Sequence, residues 1–215
     1  MKWTVAFLIA MAAVPAHADW SFGVGSEAGA RHLDTHLADY RWDTGPLSVY
    51  GLDAVARNGR WSLRAGLTLS GTEQATGLPG VTTVPAVGLT EFALHGAATV
   101  LTIGSLGVDV GLGIGRLHLD WDPGRLEVDV DGTPVVVDFD AIERWNTALA
   151  LDLGWDLSST LRAGVRARAS RFTLETAHRR GDSIVEDTES FVSLDATVFV
   201  RFLAHTPSTN AENRR

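Results

Sequence analysis

From residue 19 onward, apolar and polar positions alternate one by one instead of recurring every three or four residues. That is the period of an extended strand with two unlike faces. In the clearest segment Trp61, Leu63, Ala65, Leu67 and Leu69 alternate with Ser62, Arg64, Gly66, Thr68 and Ser70. Another sets Trp145, Thr147, Leu149, Leu151, Leu153 and Trp155 against Asn146, Ala148, Ala150, Asp152 and Gly154. A third sets Leu161, Ala163, Val165, Ala167 and Ala169 against Arg162, Gly164, Arg166, Arg168 and Ser170. The last sets Val192, Leu194, Ala196, Val198, Val200 and Phe202 against Ser193, Asp195, Thr197, Phe199 and Arg201. Softer alternation starts at Trp20, Phe22 and Val24, recurs over Tyr50 to Ala56 and Phe92 to Val100, and pairs Leu106 to Ile114 with Gly107, Asp109, Gly111, Gly113 and Gly115. These segments predict eight strands.

The connections alternate in length as well. Short turns are predicted at Arg57–Arg60, Ile103–Ser105 and Asp156–Thr160, the first around Asn58-Gly59, a strong hairpin signal. Long links are predicted at 31–46, 71–88, 120–142 and 176–188. The mostly apolar stretch Gly96–Gly115 could be taken for a membrane helix, but Asp109 and a glycine at every second position argue for strands. An even number of strands, with short turns at one end and long loops at the other, predicts an all-β fold: an eight-stranded antiparallel transmembrane up-and-down β-barrel.

Aromatic positions favour a membrane barrel over a soluble one. Trp145 and Trp155 share a face ten residues apart. At ~3.3 Å per residue and ~45° tilt this spans about 23 Å, close to the height of an outer-membrane apolar band. Two girdles are expected, Trp20, Trp61, Trp155 and Phe202 at the short-turn end and Tyr50, Phe92, Trp121, Trp145 and Phe172 at the long-loop end. The opposite face carries Arg64, Glu91, His95, Asp109, Asp152, Arg162, Arg166, Arg168, Asp195 and Arg201. In a membrane barrel these point into the lumen and form an ion-pair network, since an unpaired buried charge costs several kcal/mol. Matched heights suggest Asp152 with Arg162 and Arg166 with Asp195.

The chain resembles the small eight-stranded outer-membrane barrels, the class of the OmpA transmembrane domain, OmpX and OmpW. The resemblance covers about 19–202 and rests on the architecture, the girdles and the last strand, Thr197-Val198-Phe199-Val200-Arg201-Phe202. It implies an outer-membrane bilayer as surroundings, insertion machinery that reads that strand, and a monomer. It departs in ending on a polar tail, residues 203–215, rather than on the aromatic.

Composition narrows the partners. Met1-Lys2, the apolar run Trp3–Val14 and Ala16-His17-Ala18 have the three-part order of a signal peptide over 1–18, implying export and then outer-membrane insertion. The formal charge is −8, and the sole lysine, Lys2, lies in that segment, so nucleic acid is a poor partner. With no cysteine, disulfides, thiol chemistry and Cys-based zinc are excluded.

Candidate chemistry is sparse. Glu127, Asp129, Asp131, Gly132 and Asp138 approximate a Ca²⁺ loop, but 126–139 reads more simply as an acidic hairpin turning near Asp131-Gly132. His32, Asp34 and His36 would share one face of an extended chain, too few constraints for a metal site. A proton-handling pair of His95 and Glu91 is the slightest of the lumen readings. No His-x-Ser, Gly-x-Ser-x-Gly, phosphate loop or His-Glu-x-x-His occurs. The expectation is therefore no enzyme, no cofactor and no metal. The chain reads as a plugged barrel presenting four external loops to a surface partner or ligand. The alternatives are a narrow pore or OmpW-like channel, suggested by the inward glycines, and, less favoured, a lipid-modifying enzyme.

Overall fold

A computed structural model describes residues 20–34, 42–43, 45–75, 83–130, 133–180 and 183–205. Ten strands occur in it: β1 (Trp20–Asp34), β2 (Leu47–Asn58), β3 (Trp61–Glu73), β4 (Ala86–Ile103), β5 (Leu106–Asp122), β6 (Arg125–Val130), β7 (Thr133–Asp138), β8 (Ile142–Asp156), β9 (Leu161–Arg180) and β10 (Ser183–His205). Eight close into an antiparallel barrel in the order β1-β10-β9-β8-β5-β4-β3-β2, and β6 and β7 form a separate hairpin. Closure by β1 on β10 leaves the barrel without a free edge.

The short turns stand where the chain can make them. Gly59 and Gly104 have φ of +55° and +59°, a region that residues with a Cβ enter only with strain. The long links differ from the sequence expectation in one respect. Strands run far into them, and β9 and β10 stay paired from Phe202↔Leu161 to Ser183↔Arg180. The supposed loop 176–188 is thus mostly a two-stranded ribbon. Alternation fades there because a strand clear of the bilayer has no lipid face to mark.

Parity decides what faces out. Tyr50, Trp61, Phe92, Trp145, Trp155 and Phe202 are exposed on the wall among Leu52, Leu112, Ile114 and Val198. Trp20 is half-buried and stacks on Phe22. Two girdle assignments are corrected. Trp121 is only 9% and Phe172 only 3% exposed, against 58% for Trp145 and 42% for Trp155. Both corrected residues share the parity of the inward set, Trp121 that of Asp109 and Phe172 that of Arg162. The pairing of β5 with β8 and of β8 with β9 runs without a slip between those positions, so nothing turns them outward.

Candidate functional site

The barrel interior is built in storeys, counted from the short-turn end. At the bottom Arg162 donates to Asp109 (3.0 Å) and to Asp156 (2.9 Å), and Thr99 donates to Asp109 (2.6 Å). Above it Arg166 binds Asp152 through two 2.7 Å hydrogen bonds and also contacts Glu27. Arg64 adds a bond of 3.3 Å to Asp152, and Arg201 donates to Asp53 at 2.6 and 3.0 Å. The Phe199 ring lies under two guanidinium groups, 4.2 Å from that of Arg201 and 5.3 Å from that of Arg166. Higher still, Asp195 accepts from Arg31 (2.7 and 2.9 Å) and from Arg168 (2.9 Å). Glu91 accepts from Arg168, Asn146 (2.7 Å), Thr68 (3.3 Å) and Arg31 (3.5 Å).

These residues balance. Arg31, Arg64, Arg162, Arg166, Arg168 and Arg201 face Glu27, Asp53, Glu91, Asp109, Asp152 and Asp195, six cations against six anions. Bidentate, charge-assisted pairing is what lets so many charges stay out of water. All ten inward residues named from sequence are buried, but neither of the two suggested pairs is formed. Asp152 lies opposite Arg166, while Arg162 lies opposite Asp156. Asp195 lies opposite Arg168, one inward step from Arg166. Strand register, which turn length and stagger set together, fixes these partners. Glu27, Arg31 and Asp53 were not foreseen. Asp53 sits between the outward Leu52 and Ala54, so its parity already placed it inside.

His95 is buried with neither ring nitrogen hydrogen-bonded among the described residues. It borders two small polar cavities, of about 20 and about 10 Å³. Neighbouring side chains crowd several of the inward glycines. A Cβ on Gly113 would come 2.3 Å from the His95 ring, one on Gly115 2.4 Å from Asn146, and one on Gly154 2.4 Å from Arg162. Long neighbouring side chains occupy the space that these glycines leave.

An apolar layer lies at the long-loop end of the interior. Leu33, Leu47, Val87, Leu89, Leu117, Leu119, Trp121, Phe172, Leu174 and Phe191 pack there with Trp42. Phe172 and Phe191 stack at 5.1 Å, and Trp42 stacks on Phe191 at 5.5 Å. Both indole N–H groups, of Trp42 (3.0 Å) and Trp121 (2.8 Å), donate to the Gln74 side-chain oxygen. The sequence carries this layer in the change of inward residues along β5 from Gly113 and Gly115 to Leu117, Leu119 and Trp121.

With this geometry the resemblance can be tested. No family model matches the sequence, and no curated protein matches it. Solved structures do. Neisserial surface protein A aligns over 84% of this chain and 96% of its own, with a TM-score of 0.53 at 9% identity. The fold is that of the small eight-stranded outer-membrane β-barrels. AlkL, an outer membrane protein solved in DMPC lipid bilayers, covers 90% of this chain and 93% of its own with a TM-score of 0.54 at 13% identity. A major outer membrane protein from Thermus thermophilus covers 86% and 99%, with a TM-score of 0.51 at 13% identity.

The remaining sequence candidates are scattered. The β6–β7 hairpin pairs Leu126 with Val137 and Val130 with Thr133. Glu127 and Asp129 are exposed, and Asp138 stands 3.6 Å from Arg125. Asp131, Gly132 and His36 lie outside the described residues. His32 is exposed on β1 and Asp34 ends that strand. Among the described residues no group of three His, Cys, Asp or Glu could hold a metal ion. Outside the inward set, His118 and Glu143 face outward, 3.8 Å apart.

Proposed function

We propose that this chain is an integral outer-membrane barrel with a sealed interior, acting as a structural or surface-interaction protein rather than as an enzyme. The observation that carries the reading is the filled core. Paired charges occupy the lower storeys and apolar side chains the upper one, and the two cavities beside His95 hold about 20 and 10 Å³. A conducting pore needs a continuous wet path, and an apolar layer of this kind excludes one. The barrel is exported behind residues 1–18 and inserted through recognition of its last strand, and it remains monomeric. Outer-membrane neighbours and the apolar, aromatic-rimmed wall support that location. The long-loop end then faces outside. It offers partners the β6–β7 hairpin and the β9–β10 ribbon, both with unpaired strand edges among the described residues. Such edges accept an added strand from a partner.

The pore alternative keeps less support, because His95, Asn146 and Arg162 fill the glycine stripe. The enzyme alternative has one outward constellation to consider among the described residues. Thr90 lies opposite the His118–Glu143 pair, but no hydrogen bond joins its hydroxyl to the imidazole among the described residues. A liposome-swelling assay with small neutral solutes tests the proposal. Vesicles bearing the folded barrel should swell no faster than empty ones. Faster swelling would overturn the sealed reading.

A further inference from the structure

A large groove among the described residues lies outside the barrel, on the wall. It holds about 690 Å³, crossing β2 to β5 and reaching β8. Ala54 and Ala65, which face each other across β2 and β3, make it deep. Leu52, Leu67, Phe92, Leu94 and Ile114 make its sides apolar. At the long-loop end its character changes, since Thr90, Arg116 and His118 also line it.

Register places those polar residues together. Phe92, Arg116 and Trp145 form one row across β4, β5 and β8, and Thr90, His118 and Glu143 form a later row toward the long loops. Neighbours in such rows have Cβ atoms about 4.5–5.5 Å apart. The Arg116 guanidinium lies 5.6 Å from the Trp145 ring centre. One of its nitrogens contacts Glu143. Its Nε and Nη1, the His118 Nε2 and the Thr90 hydroxyl have no hydrogen-bond partner among the described residues. An apolar groove with a few convergent polar donors at one end is the form of a binding site for an amphipathic ligand. Trp145, an interface residue, sets the height of that polar end at the boundary between chains and headgroups.

We propose that the groove binds one acyl chain of a phosphate-bearing anionic lipid, whose headgroup phosphate is held by Arg116, His118 and Thr90. The lipid belongs to the leaflet at the long-loop end. Arginine forks onto phosphate oxygens, and the Trp145 face fixes its plane. Glu143 holds Arg116 and His118 in place but opposes an approaching anion, so neutralising it should tighten binding. This inference rests on the barrel spanning a bilayer, and it is independent of whether the interior is sealed.

The test uses the folded full chain in nanodiscs of phosphatidylcholine with a minor fraction of phosphatidylglycerol. Lipid that stays bound is counted by native mass spectrometry. Phosphatidylglycerol should be retained about fivefold over its share, the effect of one interfacial arginine. Arg116→Gln should abolish that preference and Arg116→Lys should retain part of it. Glu143→Gln should raise it, and Ala65→Phe should reduce retention of both lipids by filling the groove. Equal retention of the two lipids overturns the proposal, as does an unchanged preference in Arg116→Gln or a weaker one in Glu143→Gln. Displacement of the bound lipid by inorganic phosphate, with no effect of Ala65→Phe, would mean a free-anion site and also overturns it. Each protein is first sedimented with vesicles and checked for a boiling-dependent gel shift. Failure of the wild type at that step would refute the bilayer reading itself.

Discussion

Replacing Glu91 with leucine removes the most heavily used acceptor in the barrel. Glu91 is 1% exposed, and four side chains donate to it: Arg168, Asn146, Thr68 and Arg31. The substitution leaves five carboxylates for six arginines, and Arg31 and Arg168 must share Asp195 alone. Breaking a buried ion pair by removing one partner costs about 3–5 kcal/mol. The folded-to-unfolded ratio should therefore fall by roughly two to three and a half orders of magnitude, at ~1.4 kcal/mol per factor of ten. Urea unfolding in phospholipid vesicles, read by the boiling-dependent gel shift, measures it. Asp138→Asn, at an exposed pair on the β6–β7 hairpin, should change stability by less than about 0.5 kcal/mol. The double variant Glu91→Leu, Arg168→Leu restores charge balance and should cost less than the two single losses added together. If Glu91→Leu stays within about 0.5 kcal/mol of wild type, the interior is wet enough to solvate the orphaned arginines. The network would then not be a low-dielectric plug.

Three further outcomes follow from particular contacts. Gly113→Ala would put a methyl 2.3 Å from the His95 ring and should cost about 1–3 kcal/mol; adding His95→Ala should recover most of it, and additive losses would contradict the packing. In single-tryptophan variants, brominated lipid chains should quench Trp61, Trp145 and Trp155 and spare Trp42 and Trp121, and strong quenching of Trp121 would put it back on the wall. The cavity of about 20 Å³ beside His95 is polar and large enough for one water, so NMR magnetisation transfer from water should reach the His95 ring, and a dry ring would refute the assignment.

Much of this fold was legible because a membrane barrel writes the contrast between lipid and lumen into alternate residues. Trp145 and Trp155, on one parity of β8, stand on the wall, and Asp152, on the other, stands inside. Height along the strand suggests the wall for Trp121 and Phe172, but parity places them inside, and parity is the stricter rule where pairing does not slip. The inward position of Asp53 follows from the same rule, whereas its pairing with Arg201 does not. Partners depend on stagger between strands, and no single strand encodes it. The β9–β10 ribbon is hidden in the sequence for a different reason. Past Phe172 and Phe191 the two strands pair with each other beyond the last register contacts to β8 and β1, where the contrast between wall and lumen that sets a two-residue period no longer applies. The outward pair His118–Glu143 lay beyond Ile114, where the apolar outward run gives way to Arg116 and His118.

The most direct measurement on the sealed interior is the conductance of single folded barrels in a planar bilayer. The wild type should leave the bilayer silent after insertion, with folding established by the gel shift. Discrete open steps would mean that ions pass the paired charges and the layer around Trp121, Phe172 and Phe191, and they would contradict a closed barrel.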